Sequence, residues 1–325
     1  MKTNTSQKIV DFIKKNKTTT AKEIIDFLNY SPQVIHRHLN NLMEDGKIKK
    51  IGKPPKVFYS INKEIEQEIE AEIDDDYKKI IEENFLKITP AGEKKEGWDG
   101  FLYWCRKVNE DPVKTAAEYI KTLEKYKAYK KNGLIDGMIK FKGTFKNEVF
   151  LDNVFYLDFY SIERFGKTKL GQQLLHGKQS GNKELINEII KTTRPKVVDV
   201  IKKYNIGGVG FVPWTINRKV QFMNELERGL KLNIKKIDIS KVRGEIAVAQ
   251  KSLSKIDERI ENARNTMVVT EKNHFQNILL IDDAVGSGAT LNEIARQIKQ
   301  KKIAKKIIGL AITGSFKGFD IISEV

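Results

Sequence analysis

Apolar positions in the first sixty residues recur at helical spacing three times before the pattern changes. The first stripe follows Ser6, a candidate N-cap, and the second follows Thr20 and Glu23, which have the spacing of a capping box. The third begins after Ser31, with Pro32 at the first helical position. The three stripes are Ile9, Val10, Phe12 and Ile13; Ile24, Ile25, Phe27 and Leu28; and Ile35, Leu39, Leu42 and Met43. This spacing predicts three amphipathic helices.

The segment after the third helix reads IKKI, GKPPK, VFYSI and predicts a two-stranded hairpin with a basic tip. Three helices followed by such a hairpin resemble the winged helix-turn-helix domain of bacterial and archaeal regulators. The resemblance covers residues 1–62, including the run L..L...G.I...G.P..Y from Leu39 to Tyr59. It implies a domain that binds double-stranded DNA.

In that resemblance the third helix enters the major groove and the hairpin, or wing, contacts phosphates. The groove-facing candidates are Gln33, His36, Arg37 and Asn40, and the wing candidates are Lys49, Lys50, Lys53 and Lys56. Residues 1–62 carry a net charge of +7, as phosphate binding requires. A winged helix used for protein contacts is the open alternative.

The next segment, residues 63–97, has a net charge of −6. Ile65, Ile69 and Ile73 lie at helical spacing among acidic residues. We therefore expect a helical connector, either solvated or paired with a second copy in a homodimer. Pro90 to Gly97 is the expected boundary to a third part, residues 98–325, with a net charge of +15.

The third part alternates helical and strand patterns, which predicts an α/β fold with a parallel sheet and flanking helices. A helix is expected from Asp111 and Pro112 to about Lys131, and strands are expected at 147–160, 208–212, 236–239 and 306–312. Lys178 is placed in a turn before a further helix.

The stretch NILLIDDAVGSGATLNEI, residues 277–294, carries the most specific chemistry. Four apolar residues predict a strand buried on both faces, and Asp282 and Asp283 follow it. A loop of small residues then leads into a helix expected to begin at Thr290. This order places a ligand at the carboxyl end of a strand, where loop amides and the helix N-terminus hold a phosphate.

Two common phosphate loops do not fit this stretch. A Walker A loop ends in Lys followed by Ser or Thr, and a dinucleotide loop has three glycines and no acid pair before the turn. An acid pair beside a phosphate loop instead suits a phosphorylated sugar, whose hydroxyls donate to carboxylates. The stretch resembles the phosphoribosyl-pyrophosphate (PRPP) signature of type I phosphoribosyltransferases, with a departure at Gly286, where that family often has a polar residue.

The resemblance implies roles for residues on both sides of a ligand. Asp282 and Asp283 would hold the ribose, with Mg²⁺ bound mainly by oxygens of PRPP and water. The phosphate-binding residues would be Ala284, Val285, Gly286, Ser287, Gly288, Ala289 and Thr290. The expected strand at 208–212 is followed by PWTINRK, which resembles the pyrophosphate loop, with Trp214, Thr215, Arg218 and Lys219 as candidates. An ordinary basic surface loop is the alternative there.

One subfamily fits best. Arg243, Gln250, Leu253, Arg259 and Asn262 follow, with about one extra residue, the pattern R…Q..L….R..N of ComF-like phosphoribosyltransferases. The resemblance runs from about Tyr160 to the C-terminus and lacks that family's N-terminal zinc finger. It implies that Arg243 belongs to a mobile loop that covers the site.

Composition and charge indicate the class of partner and the cellular setting of the chain. The net charge of +16 over 325 residues favours an anionic partner, most often nucleic acid. A single cysteine, Cys105, fits a reducing, cytoplasmic setting, and no apolar run predicts a membrane span. The four histidines are too scattered for a zinc site, so no metal held by protein ligands alone is expected.

Two functions remain open from the sequence. In the first, the chain is a DNA-binding regulator whose phosphoribosyltransferase-like domain senses PRPP or a related nucleotide, in the two-part plan of purine-repressor-like proteins. In the second, it is an active transferase with Asp282, Asp283 and Arg218 as catalytic residues, acting on a base or a macromolecule. The regulator is favoured because no general base beside a nucleobase pocket is identified, Glu293 excepted.

Overall fold

The computed structural model describes residues 5–44, 47–62, 74–242 and 255–315. The chain divides into two compact units, Met1–Glu72 and Ile73–Val325. Each unit has its own hydrophobic core, and the two are described separately.

The N-terminal unit consists of three helices and a small antiparallel sheet. Its elements are α1 (Thr5–Asn16), β1 (Thr18–Thr19), α2 (Ala21–Leu28), α3 (Pro32–Glu44), β2 (Ile48–Lys53) and β3 (Lys56–Ile61). The sheet has the order β1-β3-β2, so the predicted hairpin forms, with Lys53 opposite Lys56. The buried core consists of Ile9, Ile13, Ile24, Ile35, Leu39, Leu42, Ile48 and Tyr59. These residues come from the three predicted stripes and the hairpin.

Helix starts in this unit follow the predicted capping in two of three cases. At α2 the Thr20 hydroxyl accepts from the Glu23 amide, and the Glu23 carboxylate accepts from the Thr20 amide at 2.7 Å. That backbone hydrogen bond, with those from Thr19 and Thr20 hydroxyls, lowers the pKa of Glu23. At α3 the Ser31 hydroxyl accepts from Val34 at 3.4 Å. The prediction for Ser6 is wrong, because α1 already includes it and its hydroxyl bonds the His38 ring at 2.9 Å.

The second unit begins with helices and short strands, and the last two of these strands belong to its main sheet. These elements are α4 (Asp75–Asn84), β4 (Leu86–Ile88), β5 (Lys94–Glu96), α5 (Gly97–Val108), α6 (Pro112–Lys127), β6 (Lys130–Lys131), β7 (Leu134–Asp136) and α7 (Met138–Phe145). Asp111 caps α6 through the Lys114 amide, as the pattern predicts, and the helix ends four residues earlier than predicted.

The expected connector at 63–97 needs correction over its described part, residues 74–97. These residues pack into the second unit, because Ile81 and Phe85 are buried in its core with Phe101 and Tyr119. The Phe85 ring lies edge-on to those of Phe101 and Tyr119, and the Tyr119 hydroxyl donates to the Asn84 carbonyl. Burial of such aromatic surface outweighs the acidic composition on which the prediction rested. Residues 63–73 lie outside the described residues.

The remaining elements build the parallel core. They are β8 (Asn153–Phe159), β9 (Ser161–Ile162), a 3-10 turn (Glu163–Phe165), β10 (Gly166–Lys167), α8 (Lys169–Ser180), α9 (Lys183–Lys203), β11 (Gly208–Phe211), α10 (Phe222–Leu230), β12 (Lys235–Lys236), β13 (Ile239–Lys241), α11 (Ile256–Thr266), β14 (Met267–Val269), β15 (Phe275–Val285), α12 (Ala289–Gln300) and β16 (Ala304–Gly314).

The main sheet has the order β12-β11-β15-β16-β8-β7-β6, and its first five strands are parallel. Helices cover both faces. One core packs α12 and α7 against Ile278 and Leu280, and the other packs α8, α9 and α10 against Leu279 and Ile281. The predicted α/β fold class with a parallel sheet and flanking helices is confirmed.

Two predicted strands differ in detail. The strand expected at 236–239 is split, because the chain leaves the main sheet after the Ile237 amide donates to Val209. It then pairs β13 with β14 in a separate antiparallel ribbon. The strand that carries the acid pair is longer than predicted and continues to Val285. Both Asp282 and Asp283 are therefore part of the strand rather than of the loop.

Candidate functional site

The carboxyl ends of β11 and β15 border a crevice where the chain changes direction across the sheet. From β11 the chain continues to β12 on one side, whereas from β15 it continues to β16 on the other. In open parallel sheets, ligands bind in such a crevice, outside the carboxyl ends of the strands. The two segments singled out by sequence, PWTINRK after β11 and DDAVGSGAT at the end of β15, both lie at this edge.

The two acids face opposite sides of the sheet, because successive side chains of a strand alternate. Asp283 shares the side of Leu279 and Ile281, which α8 covers. Its Oδ2 accepts from Lys178 Nζ of α8 at 2.5 Å. Asp282 lies on the other side, and its Oδ1 accepts from the Asp283 amide at 2.8 Å.

Asp282 is an unusual carboxyl group. Burial and the adjacent Asp283 carboxylate raise its pKa to about 8, although the Lys178 ammonium and the Asp283 amide act in the opposite direction. A carboxyl group in this state lacks enough nearby positive charge to stabilise its ionised form. Strongly shifted groups in a crevice are candidates for function.

The loop after β15 is tightly packed. Gly286, Ser287 and Gly288 are buried, and Ser287 Oγ accepts from the Ala289 amide at 3.3 Å. Gly288 has a φ of +81°, and a Cβ there would lie 2.4 Å from the Phe141 ring of α7. Only glycine fits both the left-handed backbone and this contact. Helix α12 starts at Ala289, one residue before the predicted Thr290, so its N-terminus directs amides to the crevice.

The loop after β11 is less buried and is fixed by side-chain hydrogen bonds. Arg218 Nη1 donates to the Lys178 carbonyl at 2.9 Å, and the Gln221 amide donates to the Arg218 carbonyl at 3.1 Å. Lys241 Nζ donates to Thr215 Oγ1 at 3.2 Å. Trp214 and Thr215 are half-buried, whereas Lys219 is exposed.

Lys178 links the acid pair at the end of β15 to the loop after β11, and sequence reasoning missed this role. Lys178 lies in the last turn of α8 rather than in the turn expected there, so that placement was wrong. Leu170, Leu174 and Gly177 are buried at helical spacing just before it. That spacing is the signal from which the helix, and the direction of Lys178, could have been found.

Other predicted site residues have different outcomes. Arg243, Gln250 and Leu253 lie outside the described residues. Within residues 240–265, which the resemblance implies to be a mobile covering loop, the part from Ile256 is the helix α11, and both Arg259 and Asn262 lie on it. Arg259 is buried, and burial lowers its pKa. Helix α11 has a defined position because it packs with α12 in one hydrophobic core.

Two side chains of reactive types, Glu293 and Cys105, are ion-paired or protonated. The buried Glu293 carboxylate accepts from Arg296 Nη2 at 2.7 Å and from Gln297 at 2.8 Å. Cys105 is also buried, and burial with the nearby Glu110 and Asp111 raises its pKa to about 12, so it is a protonated thiol. Among the described residues, no group of three or more His, Cys, Asp or Glu side chains is placed to hold a metal.

In the N-terminal unit, the four groove-facing candidates of α3 share one exposed face. Gln33, His36, Arg37 and Asn40 are spaced i, i+3, i+4, i+7 and are all exposed. The opposite face of α3 carries buried Ile35, Leu39 and Leu42.

The wing lysines are divided between the two faces of the hairpin. Lys49, Lys53 and, across from Lys53, Lys56 lie on one face by strand alternation, whereas Lys50 pairs with Tyr59 on the face that borders the core. Lys50, Lys53 and Lys56 are exposed and Lys49 is half-buried.

Residues 2–49 match the winged helix-turn-helix DNA-binding family. The N-terminal unit is a winged helix-turn-helix domain. Its third helix presents the polar face described above, and its wing extends beyond the matched residues to Ile61. The predicted order of two parts, a winged helix-turn-helix domain followed by an α/β unit, is therefore confirmed.

Comparison with solved structures finds hypoxanthine phosphoribosyltransferases. One from Staphylococcus aureus is 14% identical, with 41% of this chain and 80% of that chain covered and a TM-score of 0.24. One from Trypanosoma cruzi is 13% identical, with 42% and 67% covered and a TM-score of 0.26. No curated protein sequence matches the chain.

Across residues 5–44, 47–62, 74–242 and 255–315, no helix is long and apolar enough to cross a membrane.

Proposed function

We propose that the chain is a DNA-binding regulator whose α/β unit binds PRPP or a related nucleotide. The observation that carries the proposal is the convergence at one sheet edge of an acid pair, a glycine loop at a helix N-terminus and the Arg218 loop. Each part matches one part of a phosphorylated sugar: hydroxyls, a phosphate, and a second anionic group.

In this proposal the loop at 286–288 and the first amides of α12 hold the sugar phosphate. Asp282 and Asp283 accept hydrogen bonds from ribose hydroxyls. Arg218 and Lys219 bind the pyrophosphate, since guanidinium and ammonium groups form short, charge-assisted bonds to phosphate oxygens. Gly286 and Gly288 let the backbone approach the anion.

The acid pair fits Mg²⁺ bound together with the ligand. Carboxylate oxygens are ligands that Mg²⁺ prefers, and one or two carboxylates with water and phosphate oxygens form the usual shared site. The high pKa of Asp282 fits this assignment, because a cation would supply the positive charge that the ionised carboxyl lacks. When bound, Mg²⁺ would neutralise part of the pyrophosphate charge.

DNA binding is proposed for the exposed face of α3 and for the wing. Gln33, Arg37 and Asn40 carry the donors and acceptors that read base edges in the major groove, and His36 lies between them. Lys53 and Lys56 at the tip contribute contacts to phosphates.

The alternative is an active transferase that releases pyrophosphate from PRPP. Its chain residues would act electrostatically: Arg218 would stabilise the leaving pyrophosphate, and the acid pair would favour the positive charge that develops on the sugar. The buried ion pair of Glu293 with Arg296 leaves that carboxylate unsuited to serve as a general base for an acceptor, and this favours the regulator.

One experiment separates the two functions. The full chain is incubated with PRPP, Mg²⁺ and a panel of bases, and both pyrophosphate release and DNA affinity are measured. The regulator predicts changed DNA affinity with intact PRPP recovered. Release of pyrophosphate with unchanged DNA affinity would instead establish the transferase, and Arg218→Ala should then slow release more than it weakens PRPP binding.

A further inference from the structure

The last turn of α8 contacts both segments of the proposed ligand site. Lys178 Nζ donates to Asp283 Oδ2 at 2.5 Å, while the Lys178 carbonyl accepts from Arg218 at 2.9 Å. Gly181 ends the helix at a φ of +65°, and a Cβ there would lie 2.9 Å from Val220, at the end of the Arg218 loop. The turn is therefore fixed against the β11 loop by its backbone and against β15 by one side chain.

The ion pair between Lys178 and Asp283 is partly shielded from water. The side chain of Asp283 is 17% exposed and that of Lys178 is 33% exposed. At such a position an ammonium on a carboxylate opposes the approach of any other cation to the same oxygens, because the two positive charges repel in a medium of low dielectric constant.

The helix holds the lysine in this place. Thr168 caps α8 by accepting from the Gly171 amide at 3.0 Å, and Leu170 and Leu174 anchor the helix in the core beneath the sheet. Arg218 satisfies a carbonyl at the C-terminal end of α8, where backbone carbonyls lack partners within the helix. The capping and packing of α8 therefore set the position of the Lys178 ammonium, unlike that of a lysine on a free surface.

We propose that Lys178 is the resident counter-ion of the acid pair, and that it makes the site select a divalent cation bound to an anionic ligand over the free cation. Free Mg²⁺ or Mn²⁺ competes with the ammonium for Asp283 and brings no compensating groups. A metal–PRPP complex brings phosphate oxygens that accept hydrogen bonds from the displaced ammonium. Every charged group therefore keeps a partner of opposite charge when the metal replaces the ammonium at Asp283. The part concerning PRPP rests on the proposed function, whereas exclusion of the free cation does not.

The test is a titration of the full chain with Mn²⁺ alone, read by the electron paramagnetic resonance signal of free Mn²⁺ at mildly alkaline pH. Lys178→Met removes the ammonium and keeps the length of the side chain. Lys178→Arg keeps the charge. Lys183→Met is the matched control, an exposed lysine in the first turn of the next helix.

We expect Lys178→Met to bind Mn²⁺ about tenfold or more tightly than the wild type, because a cation at contact distance contributes at least this much in a partly buried site. Lys178→Arg and Lys183→Met should bind like the wild type. Fluorescence of Trp98, Trp104 and Trp214, which all lie in the second unit, verifies that each variant is folded.

The inference is overturned if folded Lys178→Met binds Mn²⁺ no more tightly than the wild type, or if Lys183→Met gains as much. A second titration adds Mg²⁺ and PRPP together and follows binding by calorimetry. Gain of Mn²⁺ binding in Lys178→Met with no PRPP binding to the wild type would support the counter-ion and reject the proposed ligand. PRPP binding without the Mn²⁺ gain would do the reverse.

Discussion

The winged helix-turn-helix domain and the α/β unit present their candidate residues in opposite ways. In the first, Gln33, His36, Arg37 and Asn40 stand on an exposed helix face whose other side fills a small core. In the second, the acid pair lies within a strand, partly buried and held by a lysine from another helix. An exposed face is specified by local periodicity, whereas a buried site depends on what the rest of the fold brings to it.

The difference predicts how each region responds to substitution. Surface residues that bind an anion change affinity and salt dependence with little effect on stability. Residues of the buried site change ligand binding and stability together, because their charges are partly removed from water. The following tests sharpen or break this contrast, from the largest expected effect to the smallest.

The largest effect is expected at the acid pair. Asp282→Asn/Asp283→Asn should weaken binding of Mg²⁺–PRPP by about 100-fold or more, since each hydrogen bond to a charged group contributes about 1.5–3 kcal/mol. Calorimetry measures the affinity, and Glu184→Gln, an exposed acid on α9, is the control. Equal affinity in the double variant and the wild type would remove the ligand from this strand.

The wing is expected to show the next largest effect. Lys53→Glu/Lys56→Glu should weaken DNA binding and reduce the slope of log affinity against log salt by about 2, because each phosphate contact contributes about 0.9. Gel-shift titrations over a range of salt concentrations measure both. Lys8→Glu/Lys15→Glu changes the net charge equally at exposed positions of α1. If this control weakens binding as much, net charge rather than the wing determines affinity.

A stability test concerns the glycine of the buried loop. Gly288→Ala should lower the free energy of unfolding of the second unit by about 1–3 kcal/mol, through backbone strain and contact with Phe141. Gly92→Ala is a close control, because Gly92 also has a φ of +81° but, apart from its chain neighbours, no atom of the described residues lies within 4 Å of its Cβ position. Urea unfolding followed by tryptophan fluorescence measures both. Equal losses would mean that the contact with Phe141 adds nothing to the strain.

The same contrast explains what the sequence could predict. The helices of the first domain follow from stripes such as Ile35, Leu39 and Leu42, and the capping box of Thr20 and Glu23 fixes one start. The prediction that Ser6 caps the first helix was wrong because its hydroxyl bonds His38, a residue distant in sequence that no local pattern could indicate.

At the buried site, the sequence identified the strand, the acids and the glycine loop but not their surroundings. The contacts of Lys178 with Asp283 and of Phe141 with Gly288 span more than a hundred residues each. Strand length was also underestimated, because Asp282 pairs in register with Ala311 of β16 and so continues the ladder. In a sequence, polar residues indicate the end of a strand. In the fold, pairing with a buried neighbouring strand continues the strand through such residues.

The smallest effect, about 1.4 kcal/mol for each pH unit, is expected in the pH dependence of stability. An unfolded aspartate loses its proton near pH 3.9, at its reference pKa. In the folded chain, burial and Asp283 raise the pKa of Asp282 to about 8. Between these values the folded state holds one more proton than the unfolded state, so the free energy of unfolding falls as pH rises and levels off above about pH 8. Asp282→Asn removes this titration and should flatten the fall for the second unit, as measured by urea unfolding with tryptophan fluorescence at several pH values across the window. Glu184→Gln should leave the wild-type slope unchanged. A wild-type stability that rises over this window, with the same slope in Asp282→Asn, would show that the carboxyl is not held protonated by its surroundings.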